Sequence, residues 1–474
     1  MKKILTFVLA FAVTTTAMGQ GRLGNLLNKA KEAVSSEVKS DNKENRNTGS
    51  FSNGNAIHVS SLTGSNRNDG SKAKPYKNLQ KAIDNAKPGD VILVAQGNYF
   101  GMLNSGNIVI DKSLTIMGGY SDDFSTRDIL KYRSMVQPDA TSNGTAKGGG
   151  TIQIKGTHGG EVVIDGLLID RGNSVAYNPA GKGKPEGVDS PMMQPIGTAG
   201  IGGTNFEEKV YTTETALIYL DNPTCNIKVR NCAFVNSPNY GIRGMFKGKM
   251  EVDNCIFINI RMAAMEVSGS YATDYCDLKF TNNTVLFSWS RLKDMSDMGY
   301  GYRYMNGVHS YLDHNIIGCS IFSGLDRCRI DSNAAREREK ITTCENTLFF
   351  LNKQADICLP GGGMFLRVWV KDFDDVEQLA EVSGNKSVSD PSIFNGVINE
   401  PYLKGFIEAA YNEKTNFDPN SGANVFRQAM GMNMQGTIDS SASMFANRYP
   451  FEDALKLFGA VQGYGAQIPG NAKR

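Results

Sequence analysis

At 474 residues and 40% hydrophobic content, the chain is long enough for two or three ordinary domains or for one repeat fold along its length. Fifty Lys and Arg against 48 Asp and Glu leave a net charge of +2, so no global field selects nucleic acid or a membrane surface. Glycine outnumbers proline 51 to 15 without a collagen period, which suits a turn-rich all-β chain better than a helical one.

The chain opens on Lys2 and Lys3, followed by the apolar run Ile4 to Val13, which is too short to span a bilayer. Small residues at Ala17 and Gly19 place a cleavage point before Gln20, so residues 1–19 read as an export signal. A membrane anchor is the alternative, and no Cys near the cleavage point speaks for a lipoprotein. Residues 20–54 are polar and charged, a flexible tether with one short helix carrying Leu23, Leu26, Leu27 and Ala30. No later stretch is apolar over 18 residues, so no membrane span is expected in the mature chain. The expected location is the periplasm, the cell surface or the medium.

From Ile57 the pattern turns to short strands and turns. Leu79, Ala82, Ile83 and Ala86 form an apolar stripe on a short helix, and Pro88-Gly89-Asp90 turns the chain into a strand at Val91 to Val94. Beyond it a phrase recurs: an apolar residue, then Asn or Gly two places on, then another apolar residue. It appears at Ile116, Ile164, Val229, Val252 and Phe280, with looser copies at Leu312 and Thr343. Spacings of 23 to 32 residues from Val229 onward mark one supersecondary unit per repeat, and the period-two alternation around each anchor marks strands. A solenoid follows.

Asn231, Asn254 and Asn282 share one register; Asn283, Asn315 and Asn346 are expected to share the next. Asn tolerates the left-handed backbone of a sharp turn, and stacked amides can bond from coil to coil, so these residues read as scaffold. The 65 residues from Ile164 to Val229 suggest two coils plus an excursion over Gly172 to Asn205. Cys232 and Cys255 fall at equivalent positions, where either a disulfide or stacked thiols would fit.

The phrase Ile57 to Ser60, Gly64 to Ser71, Lys74 to Ile83 and Ala86 to Tyr99, with Leu114 to Tyr120 after it, resembles the opening of secreted pectate-lyase-like proteins. Those are right-handed parallel β-helices, some grouped by a DUF1565-type N-terminal module. The resemblance implies an all-β chain, a right-handed parallel β-helix over residues 55–360 with a short N-terminal capping helix. Residues 361–474 lose the repeat and read as an irregular C-terminal cap, with a separate small domain as the alternative. Phe417 to Ala423 looks like a closing motif of such helices.

Lyases of this superfamily cleave uronate-containing polysaccharides by β-elimination, which needs a cation at the carboxylate and a Lys or Arg base near the departing proton. Here the densest set of suitable residues runs from Trp289 to Arg329: Trp289 to Tyr304 read as a single inter-coil loop that also holds Asp294, Asp297 and Tyr300, and Asp326, Arg327 and Arg329 follow one coil later. Lys293 and Arg303 are the candidate catalytic cations. Trp289, Arg291, Tyr302, Tyr304, Asp326, Arg327 and Arg329 are the candidate substrate contacts, since rings present flat faces to sugars and Arg grips a carboxylate bidentately. Packing of the same aromatics onto the coil beneath is the alternative.

No cofactor is assigned; Ca2+ is the ion such chemistry calls for, with Asp165, Asp170 and Asp189 as candidate ligands lacking any EF-hand spacing. His309 and His314 lack zinc-ligand partners, and His314 lies in the Asn register. The expected partner is an acidic polysaccharide met by a monomer, either cleaved or bound without catalysis, as an adhesin or structural helix would bind it.

Overall fold

A computed structural model describes residues 56–100, 107–136, 149–171, 193–196, 207–210, 214–237, 239–269, 275–288, 299–327, 341–353, 355–360, 367–370, 380–410, 428–429 and 448–470. The signal, the tether and the Phe417 to Ala423 motif lie outside them.

One inward column runs the length of the molecule: Ile57, Ile92, Ile116, Ile164, Val229, Val252, Phe280, Leu312, Cys344 and Val382 are successive Cα partners. They sit in ten parallel strands, from Ala56–Val59 to Glu381–Ser383, that form the first of three long sheets. The second sheet has nine parallel strands, Gly97–Tyr99 through Lys386–Val388. The third runs from Ile108–Ile110 to Ala355–Pro360, all parallel, and ends in the antiparallel strand Arg367–Val370. The chain visits the sheets in the same order each time, winding a right-handed parallel β-helix.

Two details of the sequence reading are corrected. Leu312 pairs with Cys344, not Thr343, because the last copy has shifted by one residue and a one-residue shift turns a side chain to the other face. Asn346 therefore joins Asn231, Asn254, Asn282 and His314, and Thr347 takes the slot of Asn283 and Asn315. Ile164 pairs directly with Val229, so the intervening residues make one coil with a longer excursion, not two coils. Within it, Met193–Ile196 and Glu207–Val210 form an antiparallel hairpin.

The turn from the first to the second sheet depends on left-handed backbone, with φ of 54° at Asn231, 55° at Asn254, 52° at Asn282, 52° at His314 and 45° at Asn346. Asn254 donates its amide to Asn231 Oδ1 at 2.7 Å, and Asn231 donates to Asp165 Oδ1 at 3.0 Å. Asn283 and Asn315 bond the backbone instead: their amides donate to Val252 and Phe280 carbonyls, and their Oδ1 atoms accept from Cys255 and Asn283 N–H groups. A second left-handed turn, between the second and third sheets, uses Asn236 and Asn259, and Asn259 donates to Asn236 at 2.7 Å. Cys232 and Cys255 are buried free thiols, and burial pushes the Cys255 thiol well above its ordinary value.

Both ends of the wrapping are managed by side chains. The helix Leu79–Asn85, capped by Asn78, buries Leu79, Ala82 and Ile83 over the first coil. Gln80 lies at the open edge strand Ile108–Ile110, where its amide both accepts from Val109 N at 2.7 Å and donates to Val109 O at 3.1 Å. It satisfies that edge as another strand would. On the second sheet's outer face, Leu403, Phe406 and Ile407 of helix Glu400–Ala410 pack with Tyr449 and Phe458 against Val235, Ile258, Leu286 and Phe350. The chain then runs across the coils: Gly465, Ala466 and Gln467 N–H groups donate to His314 O, Thr284 Oγ1 and Asn254 Oδ1.

Asp165 anchors the ladder's start, between Arg127 NH2 at 2.7 Å and Arg230 Nε at 2.8 Å. Burial alone would raise its pKa, but Arg127 and Arg230 outweigh it and hold the carboxyl below the usual range. Its stabilising share is therefore complete above the unfolded carboxyl's value and lost as pH falls through the lower folded one. Asp165→Asn should lower unfolding free energy at neutral pH by about 3 kcal/mol. Urea titrations across the acid range should show a flatter acid limb for the variant than for the parent.

Candidate functional site

The outer faces of the three sheets differ. The first presents charged residues to solvent around Lys228, Glu251 and Lys279, and the second lies under the C-terminal segment. Connections from the first sheet to the second take one or two residues from the third coil onward. From that coil onward the long connections 171–213, 289–299 and 328–341 each enter or leave the third sheet, whereas 121–133, earlier in the chain, joins the first sheet to the second.

On that face a single column crosses successive coils: Gln153, Tyr219, Arg243, Glu266, Arg303, Asp326. From Arg243 onward the charges alternate. Arg243 Nε lies 2.9 Å from Glu266 Oε1, Arg303 NH1 lies 3.2 Å from Glu266 Oε2, and Arg303 Nε lies 3.2 Å from Asp326 Oδ2. Each Arg is also stacked on a ring of its own strand, Arg243 over Tyr240 and Arg303 over Tyr300, both at 4.4 Å.

Tyr and Arg three residues apart would face opposite sides of a regular strand. Here the pairing skips Gly241, Ala264, Gly301 and Gly324, and the irregularity brings ring and guanidinium together on the outside. A Cβ at Gly241 would lie 2.4 Å from Ala264 O, and one at Gly301 2.7 Å from Gly324 O, so the neighbouring coil leaves room for glycine alone.

The ladder is open at one end and closed at the other. The Arg243 side chain is 39% exposed and that of Arg303 is 9% exposed. Tyr219 is half-buried beside Arg243, and Gln153 beyond it donates to Asp221 at 2.9 Å. Among the described residues, Arg243 has no partner besides Glu266 and the Tyr240 ring.

The residues picked from sequence divide accordingly. Arg303 and Asp326 come together here, each committed to the ladder. Tyr302 and Tyr304, expected on a loop, belong to the strand Tyr300–Tyr304 and point into the core beside Val267 and Leu325. Their hydroxyls bond Ser310 and Thr342, and burial pushes the Tyr302 phenol up. Arg327 is buried in the strand Ser323–Arg327, in register with Tyr304. Trp289, Arg291, Lys293 and Arg329 lie outside the described residues.

Sequence reading missed Arg243, Glu266, Tyr219 and Tyr240. A signal existed: Tyr240-Gly241-Ile242-Arg243 and Tyr300-Gly301-Tyr302-Arg303 repeat one motif two coils apart.

The proposed calcium ligands are otherwise engaged. Asp165 serves Arg127, Arg230 and Asn231, Asp170 serves Asn236 and Arg448, and Asp189 lies outside the described residues. No cluster of three or more His, Cys, Asp or Glu suited to a metal occurs among the described residues.

The family described as "Protein of unknown function (DUF1565)" matches residues 62–243, in keeping with the resemblance read from the N-terminal phrase. No curated protein matches. Similar solved structures include a pectin methylesterase variant in complex with a hexasaccharide, at 14% identity over 71% of this chain and 90% of that one, with a TM-score of 0.36. A rhamnogalacturonan lyase shares 11% identity over 87% and 100%, TM-score 0.30. A GH136 lacto-N-biosidase from Eubacterium ramulus shares 11% over 70% and 67%, TM-score 0.28. The fold rests on the three sheets themselves.

Removing Glu266 would strip the enclosed Arg303 of one of its acceptors, whereas removing Arg243 empties a solvent-facing position. Glu266→Ala should destabilise the protein by about 3 kcal/mol and Arg243→Ala by less than about 1 kcal/mol. Denaturant midpoints measure both, and the reverse order would contradict this placement.

Proposed function

We propose that the protein is an exported β-helix that binds, and in one form of this reading degrades, an acidic polysaccharide through the outer face of its third sheet. One observation carries the reading: Arg243 is held flat on Tyr240, fixed through Nε by Glu266, and still exposed. A guanidinium immobilised in this way has lost its side-chain freedom before any ligand arrives, which favours binding of a carboxylate. Tyr219 adds an aromatic side chain in register with it on the preceding coil.

Export is supported by Lys2, Lys3 and the apolar run that follows them. In this reading Arg243, not Arg303, is the cation a ligand reaches. Arg303 is a positioning residue, with its guanidinium hydrogen-bonded to Glu266 and ion-paired with Asp326. If β-elimination occurs, Lys293 is the base to test, and a uronate carboxylate at Arg243 is the group whose neighbouring C–H becomes acidic.

The test is titration of the purified chain with oligogalacturonate, oligomannuronate and a neutral oligosaccharide, with ultraviolet absorbance followed for an unsaturated product. Binding of a uronate oligomer, weakened about tenfold in Arg243→Ala, is expected. Equal binding by parent and variant, or binding of the neutral chain alone, would contradict the reading. Turnover abolished by Lys293→Ala would assign a lyase, and binding without turnover a non-catalytic glycan-binding helix.

A further inference from the structure

The two Tyr-Gly-x-Arg motifs are internal copies that differ in whether the preceding coil supplies an acid. In the enclosed copy, Arg303 has a carboxylate on both sides along the helix axis. Asp326, on the following coil, takes its Nε, and Glu266, on the preceding coil, takes its NH1. In the open copy, Arg243 has the following-coil carboxylate, Glu266, again on Nε. The preceding-coil position holds Tyr219 in place of an acid.

Three further features are matched. Both Arg residues stack on the Tyr three places before them at the same 4.4 Å. Both strands carry the glycine that permits the irregular pairing. In each, the next coil supplies a small residue, Ala263 or Ser323, opposite the Tyr.

We infer that the position before Arg243, beside Tyr219, is a subsite for a ligand carboxylate, and that Glu266 on Arg303 displays the geometry such a carboxylate adopts. The inference rests on the reading of the third-sheet face as a glycan surface with a carboxylate at Arg243, and adds to it the side of Arg243 on which that carboxylate sits and the coil it occupies. A carboxylate answers the planar donor edge of a guanidinium, and Tyr219 offers a ring to the sugar that bears it. One sugar acid is thereby placed on the third coil, at the strand Glu214–Asp221.

The subsite can be tested without knowing the natural ligand, by supplying the acid from the protein. Tyr219→Glu places a carboxylate at the register position that Glu266 holds toward Arg303; Tyr219→Gln is the uncharged control of the same size. Tyr219→Glu should melt at a higher temperature than Tyr219→Gln, and the difference should vanish when both also carry Arg243→Ala. Against an oligogalacturonate bound by the parent chain, Tyr219→Glu should bind at least about tenfold more weakly than Tyr219→Gln, since its own acid occupies Arg243.

Equal melting of the Glu and Gln variants, or a difference that survives Arg243→Ala, would overturn the subsite whatever the polymer does. Coupling through Arg243 with no binding of any uronate oligomer by the parent would support the subsite and overturn the polysaccharide reading. Uronate binding with equal affinity in the two Tyr219 variants would overturn the subsite and leave the polysaccharide reading standing.

Discussion

In-register stacking of parallel strands at roughly 4.8 Å is the constraint on which the rest of this molecule depends. Once Val229, Val252, Phe280 and Leu312 lie one above another, every residue at a fixed offset from them is stacked as well. Apolar offsets become core: Phe234 and Phe257, partners on successive coils, stack with ring centroids 4.8 Å apart, and Val285 follows them on the next coil. Polar offsets become ladders, provided donors and acceptors alternate. Charged offsets are the most demanding, because like charges at strand spacing repel and unlike charges pair. The order Arg243, Glu266, Arg303, Asp326 answers that demand with alternating sign.

The same constraint explains what could be read from the residues alone. The inward column was legible because apolar residues with an Asn two places on recur in few other architectures. The left-handed turns at Asn231, Asn254 and Asn282 were legible because Asn carries its conformational preference with it. The copy at Thr343 was misread by one place, since Thr342, Thr343 and Cys344 offer no strong apolar anchor and the register there is set by its neighbours. Tyr302 and Tyr304 drew attention as exposed aromatics, although strand alternation places both in the core with their hydroxyls satisfied. Glu266 and Arg243 escaped notice because neither lies in the dense stretch from Trp289 to Arg329. Their significance comes from pairing across coils, which no local window contains.

Enclosed and exposed charges are partitioned along one column. The enclosed half, Glu266 to Asp326, satisfies its charges internally. The open half, Tyr219 and Arg243, carries the same construction with one acid missing. Glu266 belongs to both halves, so Arg243 and Arg303 share one acceptor side chain.

The register itself can be measured on the exposed first sheet, where Lys279, Tyr311 and Thr343 are successive Cα partners on three coils. Neighbours in this column sit at about 4.8 Å and next-nearest at about 9.6 Å, against a disulfide reach of about 4.4–6.8 Å between Cα atoms. Lys279→Cys combined with Tyr311→Cys should cross-link under mild oxidation, while Lys279→Cys combined with Thr343→Cys should remain reduced. Equal cross-linking of the two pairs, or cross-linking of the second alone, would contradict the stacked register and with it the Arg243 column.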